Sequence, residues 1–254
     1  MSNGRILEDR VIIVTGASSG IGRAVALKLA EEGARVACCG RDVGKMRAVC
    51  AELHGSGHFP YVFDGNDLSG VEEMIKAAVR EMGRLSGLVH SAGVSFLSPL
   101  RDTHYGEAEE MFRINYFVFL ALAKIACRKG NFVPRKMSIV GISSISAFST
   151  PPGMAVYAAS KAALNASIVS YARELAPRGI RFNSVCPAYV DTRMTESLIS
   201  TIGETEFRSR VEKSMPLGLI EPNEVADSVL FLLSDASRKI TGANIKIGGG
   251  AVDI

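Results

Sequence analysis

At 254 residues, 47% hydrophobic and 22% charged, the chain is long enough for one α/β unit with a sizeable core and too apolar for a disordered segment. A dispersed net charge of +3 gives no basis for nucleic-acid binding, and the longest apolar run, Tyr116 to Ala123, is too short to span a bilayer. Five cysteines without CxxC or Cys/His spacing argue against a disulfide framework and a metal site, and the opening MSNGRILEDR has no apolar leader, so a cytoplasmic protein without a membrane anchor is expected.

Short apolar runs then alternate with helical periodicity. Val11–Val14, Arg35–Cys39, Phe59–Phe63, Leu88–His90, Met137–Ile142, Ile180–Val185 and Asn244–Ile247 read as strands. Arg23–Glu32, Val43–Leu53, Leu68–Met82, Glu107–Lys129, Val156–Ala176 and Glu224–Leu233 read as helices. This alternation predicts a single α/β domain over residues 1–254, with a seven-stranded parallel sheet covered by helices on both faces in a doubly wound (Rossmann) arrangement. Ligands then belong outside the carboxyl ends of the strands. Cys38 and Cys39, adjacent in a strand, point to opposite faces of the sheet. Residues 192–216 break the alternation: they are polar and carry Gly203 and the Met215-Pro216 pair.

Thr15-Gly16-Ala17-Ser18-Ser19-Gly20-Ile21-Gly22 follows the first strand and opens the first helix. Strand, glycine-rich turn and helix together aim free N–H groups and a positive helix end at a phosphate. A tight turn with no ligand is the alternative for such a cluster taken alone. Tyr157 and Lys161 lie four apart, on one face of a helix. An ammonium beside a phenol lowers its pKa and suits it to proton transfer, although an ordinary helix pair has the same spacing. Ser144 lies thirteen positions earlier, after an apolar strand, and Pro151, Pro152 and Gly153 let the chain turn back toward Tyr157.

TGASSGIG at 15–22, with Asn115, Ser144, Tyr157 and Lys161 in that order, resembles the short-chain dehydrogenase/reductases over Leu7 to Gly250, and within them the 3-oxoacyl-carrier-protein reductases. The resemblance implies hydride transfer between a nicotinamide and a carbonyl or secondary alcohol. Tyr157 would then be proton donor, with Ser144 holding the substrate oxygen and Lys161 tuning the phenol and binding the nicotinamide ribose. Asn115 would hold a water for proton relay. Gly16, Ser18, Ser19, Gly20 and Ile21 would cradle the dinucleotide, with Ser91, Ala92 and Gly93 near a ribose. Pro187, Val190 and Thr192 would lie at the carboxamide. Asp64, with Gly65, would receive the adenine amino group, a plain turn being the alternative. The segment 192–216 would be a mobile substrate lid.

Cofactor choice turns on Gly40-Arg41-Asp42. Gly40 stands at the family's acidic position and Arg41 at that of its phosphate-binding arginine, which favours NADP(H). Asp42 is the complication: swung back, it would suit NAD(H). The basic residue the family uses at the position of Ser19 is missing. His90-Ser91 replaces the usual Asn-Asn, and His90 reads as buried and structural. Gly248 stands where an aspartate is usual. Val94, Phe96, Ile145, Met154 and Tyr189 are candidate pocket walls. Arg128, Lys129 and Arg173 are a candidate basic patch near the entrance for an acidic acyl-carrier partner, or scattered surface charges. A hydroxysteroid, sugar or polyol dehydrogenase, or a non-catalytic dinucleotide binder, are the competing readings. Small residues on the helix of Tyr157, Ala158 to Ala166, predict a homodimer or homotetramer through the face opposite the tyrosine.

Overall fold

The computed structural model describes residues 5–251. Seven parallel strands form one sheet in the order β3-β2-β1-β4-β5-β6-β7, where β1 is Val11–Thr15, β2 Arg35–Gly40, β3 Phe59–Val62, β4 Gly87–His90, β5 Ser138–Ile142, β6 Arg181–Pro187 and β7 Asn244–Ile247. The order reverses between β1 and β4, so a crevice opens above their carboxyl ends, where Thr15 and His90 stand side by side in register.

Strand alternation divides the core into two layers. Ile12, Val14, Val36 and Cys38 face α1 (Gly20–Glu31), α2 (Val43–Glu52) and α9 (Pro222–Leu233). Val11, Ile13, Ala37 and Cys39 face α3 (Gly70–Met82), α5 (Val118–Ala126) and α6 (Ala155–Leu175). The two adjacent cysteines do point to opposite faces. Near-continuous apolar strands are what a parallel sheet covered on both sides requires.

Two segments depart from the sequence expectation. The helix expected over Glu107–Lys129 is broken into α4 (Tyr105–Phe112), a π-helical turn at Arg113–Phe117, and α5. Residues 192–216, for which no element was expected, contain α7 (Arg193–Ile202) and α8 (Glu204–Ser214). Their register with the rest is held by Tyr189, whose ring packs edge-on against Phe207 at 5.2 Å. Among the described residues, no helix is long and apolar enough to cross a membrane.

Candidate active site and dinucleotide cradle

The cradle is built from conformations only glycine adopts readily. Gly16 has φ of +69°, and a Cβ there would lie 2.8 Å from the backbone nitrogen of Ala92, so the loops after β1 and β4 meet without a side chain between them. Gly22, in the first turn of α1, is closer still: its Cβ would stand 2.2 Å from the Gly16 carbonyl oxygen. Ser19, the residue before α1, makes no side-chain cap, and the first turn of α1 carries no acidic residue. Among the described residues, the leading N–H groups and the positive end of the helix therefore have no anionic side chain capping them, the condition an anionic phosphate satisfies. Gly20 sits against Thr192, at 3.1 Å from Thr192 Cγ2 to a Cβ built on it, which brings Thr192 from far along the chain to the same crevice. Val190 is buried beside it and its carbonyl accepts from both Thr192 and Thr195 hydroxyls. Pro187 closes β6, paired with Ile247. Ser18 and Ile21 are half-buried around the turn, and Ser19 is exposed.

Arg41 is exposed and has no ion pair or hydrogen bond among the described residues. Asp42 does not swing toward it. Its carboxylate accepts from the Lys45 N–H at 3.1 Å as the N-cap of α2, a bond typically contributing about 1 kcal/mol. At Gly40 a Cβ would lie 2.9 Å from Met46 Sδ, so the acid of an NAD-type site has no room without displacing a buried methionine. Asp64 is exposed and accepts from the Asn66 N–H at 3.0 Å, the turn alternative for that residue, while Gly65 lies against Ile114 and Val118.

The catalytic candidates converge where β4 and β5 end. Asn115 is fully buried, inside the π-helical turn. Its Oδ1 accepts from Val94 N at 2.9 Å, and its Nδ2 donates to Val94 O at 3.0 Å and to Ser160 Oγ at 3.0 Å. These bonds pull the amide into the core, and the widened turn is the backbone's accommodation to them. The side chain thereby holds the loop after β4. Ser160 relays this to the tyrosine by donating to Tyr157 O at 2.7 Å. Gly93 is the contact point of the loop, its Cβ position 3.2 Å from Asn115 Oδ1 and 3.4 Å from Lys161 Nζ. Ser91 and Ala92 are half-buried next to it, and Ala92 N donates to Thr15 Oγ1 at 3.3 Å.

Ser144 precedes a short 3₁₀ turn; its Oγ accepts from Ser146 N at 3.1 Å, which leaves its hydroxyl hydrogen for the neighbouring phenol of Tyr157, whose pKa Ser144 lowers. Tyr157 is 8% exposed, and Lys161 is buried with Nζ donating to the Ile142 carbonyl at 2.9 Å and lying 5.7 Å from the tyrosine ring centre. This corrects the expected electrostatics. The ammonium is held by the end of β5 rather than at the phenol oxygen, and burial dominates both groups. Burial raises the phenol above its ordinary value, with Ser144 partly opposing, while burial pushes the Lys161 ammonium down to about 8. At neutral pH the arrangement holds a protonated phenol, the form that donates.

Sequence reading did not give Thr15, Val94, Ser143 and Ser160 their supporting roles; Val94, expected as a pocket wall, instead bonds Asn115 through its backbone. Ser143 Oγ donates to Lys161 O at 3.2 Å, tying β5 to α6. Only the hydroxyls flanking Ser144 and Lys161 in the sequence hinted at them. His90 is buried and structural, as expected. Its Nδ1 is 3.0 Å from Thr15 Oγ1, while Nε2 is buried with no hydrogen-bond partner among the described residues; burial, then Lys161, bring its pKa down to about 3. Gly248 is explained by the tail, since a Cβ there would meet the Ala251 carbonyl oxygen at 2.6 Å.

The basic patch is not at the mouth. Arg173 lies sixteen residues beyond Tyr157 on α6, about 24 Å along the axis at 1.5 Å per residue, toward the amino ends of the strands. Arg128 and Lys129 follow α5 at that same end, lining a groove of about 390 Å³ with Tyr171 and Arg178, and Arg128 pairs with Glu72 at 2.6 Å. Of the small residues on α6, Ala158 and Ser160 are buried within the chain; Ala159, Ala162, Ala163 and Ala166 remain partly or fully exposed.

A doubly wound sheet with a glycine cradle beside a buried tyrosine, serine and lysine defines a dinucleotide-dependent oxidoreductase. Comparison with known proteins agrees. Residues 16–252 match the family model described as Enoyl-(Acyl carrier protein) reductase. The 3-oxoacyl-[acyl-carrier-protein] reductase FabG of Thermotoga maritima is 35% identical, covering 97% of this chain and 99% of that protein. The L-rhamnose 1-dehydrogenase (NAD(P)(+)) of Azotobacter vinelandii is 34% identical over 96% and 97%. A Brucella melitensis structure described as a short-chain dehydrogenase/reductase, glucose/ribitol dehydrogenase, superimposes with a TM-score of 0.89 at 29% identity, covering 98% of this chain and 99% of that one. The chain belongs to the short-chain dehydrogenase/reductase family, and it is an NAD(P)-dependent oxidoreductase.

Proposed function

We propose that the chain is an NADP(H)-dependent reductase of small carbonyl compounds, 3-oxoacyl thioesters foremost, running also in reverse on secondary alcohols. The observation behind this reading is the buried Ser144–Tyr157 pair with Lys161 beneath it, opening on the same crevice as the glycine cradle. The bound nicotinamide supplies the hydride. The chain's own groups handle the proton and the geometry. Tyr157 Oη gives its proton to the carbonyl oxygen as charge builds there, and Ser144 Oγ holds that oxygen in line. Lys161 keeps a positive charge near the developing phenolate. Asn115 and Ser160 fix the helix that carries the tyrosine.

The preference for NADP(H) is supported by the free Arg41, by Asp42 being engaged as a helix cap, and by the close packing of Met46 on Gly40. Arg41→Ala is expected to raise KM for NADPH about tenfold or more, the loss of a charge-assisted hydrogen bond to phosphate, while KM for NADH changes little. Equal effects on the two cofactors, in steady-state assays, would reject the assignment.

The thioester reading draws on the Thermotoga relative, whose name states that reaction. A sugar dehydrogenase is the second reading, drawn from the rhamnose dehydrogenase at nearly equal identity. A screen with NADPH against an acetoacetyl thioester and cyclic ketones, and with NADP against sugars, separates them by the substrate with the highest kcat/KM. Residues 192–216, with α7 and α8, are proposed as the substrate lid of a single domain, and the exposed alanines of α6 as a homodimer or homotetramer contact; light scattering after size exclusion tests the latter. A cytoplasmic location fits five free cysteines.

A further inference from the structure

Two of the five cysteines sit opposite each other at the base of the segment that reads the cofactor's ribose. Cys38 lies in the middle of β2, fully buried on the side of the sheet that α1, α2 and α9 cover. Cys50 lies on α2, half-buried and packed against that same layer. Their spacing places them face to face. Met46 rests on Gly40, 2.9 Å from the position of a Cβ there. Two residues back along a strand, to Cys38, covers about 6.6 Å, and four residues on along a helix, to Cys50, covers about 6 Å. Strand and helix run in opposite directions, so Cys50 falls over Cys38 as Met46 falls over Gly40. The two thiols lie close enough for each to perturb the ionisation of the other.

We propose that Cys38 and Cys50 are an oxidation site that closes to an intramolecular disulfide under peroxide and thereby weakens dinucleotide binding. The effect on binding rests on the reading of Arg41 given above; the cross-link does not. The chemistry balances with hydrogen peroxide as the oxidant. The Cys50 thiolate attacks one peroxide oxygen, the O–O bond breaks, and the departing hydroxide takes a proton to become water. The resulting Cys50 sulfenic acid is attacked by the Cys38 sulfur; the S–S bond forms, the S–O bond breaks, and the Cys38 proton leaves with the hydroxide as a second water. Two thiols lose two electrons in all, and one peroxide becomes two waters. The order follows from the surroundings. The neighbouring Cys38 thiol lowers the pKa of the more accessible Cys50, whereas Cys38 is raised by Cys50 and by burial.

The bridged loop, residues 38–50, contains Gly40, Arg41 and the cap residue Asp42. Drawing a thiol contact in to a bond of about 2.05 Å pulls α2 toward β2 and shifts the turn between them. Arg41 is carried on that turn.

The test treats the whole protein with hydrogen peroxide, blocks remaining thiols, and maps the products by mass spectrometry without reduction. A Cys38–Cys50 cross-linked peptide, lighter by two hydrogens than the pair of thiols, is expected. It should be absent in Cys50→Ser and in Cys38→Ala and be reversed by dithiothreitol. NADPH affinity, read by fluorescence, should fall about tenfold on oxidation, the loss of one charged hydrogen bond, and recover on reduction. Cys50 oxidised singly to sulfinic or sulfonic acid, or both thiols still free, would overturn the site. A complete cross-link with unchanged NADPH affinity would overturn its effect on the cofactor, and the Arg41→Ala result tells whether the ribose reading itself has failed.

Discussion

Tyr157→Phe is expected to lower kcat for carbonyl reduction by about 10²–10⁴-fold, the contribution general acid catalysis typically makes, while leaving NADPH affinity within a small factor. The substitution removes one oxygen from a buried ring that packs inside α6, so the helix and the Ser144 turn keep their positions. Among the described residues, the phenol is the group whose acidity suits proton transfer here: a serine hydroxyl is far less acidic, and Lys161 is directed at the Ile142 carbonyl. Steady-state rates with fluorescence-monitored NADPH binding check both halves. Turnover retained in the variant would remove the tyrosine from the chemistry; loss of cofactor binding with it would mean that the change had disturbed the crevice instead.

Gly22→Ala is expected to weaken dinucleotide binding about tenfold to a hundredfold with the fold preserved. The added methyl carbon would stand 2.2 Å from the Gly16 carbonyl oxygen, a backbone atom that a rotamer change cannot move aside. The loop must shift as a unit, and overpacking of this kind costs about 1–3 kcal/mol. Gly16 in turn has Ala92 N at its back, so the displacement is transmitted into the crevice rather than absorbed by solvent. Circular dichroism establishes that the sheet persists, and titration with NADPH reads the loss. Unchanged affinity would show that the turn before α1 does not contact the phosphates.

The fold was legible because most strands are short apolar runs, as in β1, β2, β4 and β5, and helical periodicity fills the stretches between them. The helices of the 192–216 segment escaped because they are short, polar on most of their surface, and separated only by Gly203, which reads as a break in a loop. The π-helical turn escaped for a different reason. Helical periodicity averages over a single widened turn, and what forces it, the bonds from Asn115 to Val94 and Ser160, joins residues 21 and 45 positions apart. The site residues could be named from spacing, but their electrostatics could not. A lysine four residues after a tyrosine says nothing of the Ile142 carbonyl that takes its ammonium, nor of the burial that raises the phenol. Asp42 shows the same limit: beside Arg41 in sequence it looked like a competitor for the ribose, and in the fold it caps α2. The basic residues near α6's end were misplaced because sequence proximity to a catalytic helix does not say which end of a thirty-ångström rod, about 21 residues at 1.5 Å each, faces the ligand.

The most direct test of a buried phenol as proton donor is the pH dependence of kcat in both directions, with the best substrate pair from the screen. Reduction needs the protonated phenol, so its kcat should hold level through neutral pH and fall only on the alkaline side, as Lys161, at about 8, loses its charge and then the phenol, raised by burial, ionises. Alcohol oxidation needs the phenolate, so its kcat should climb over the same alkaline range. A reduction rate that rises with pH, or an oxidation rate already level below neutrality, would contradict the assignment of the proton to Tyr157.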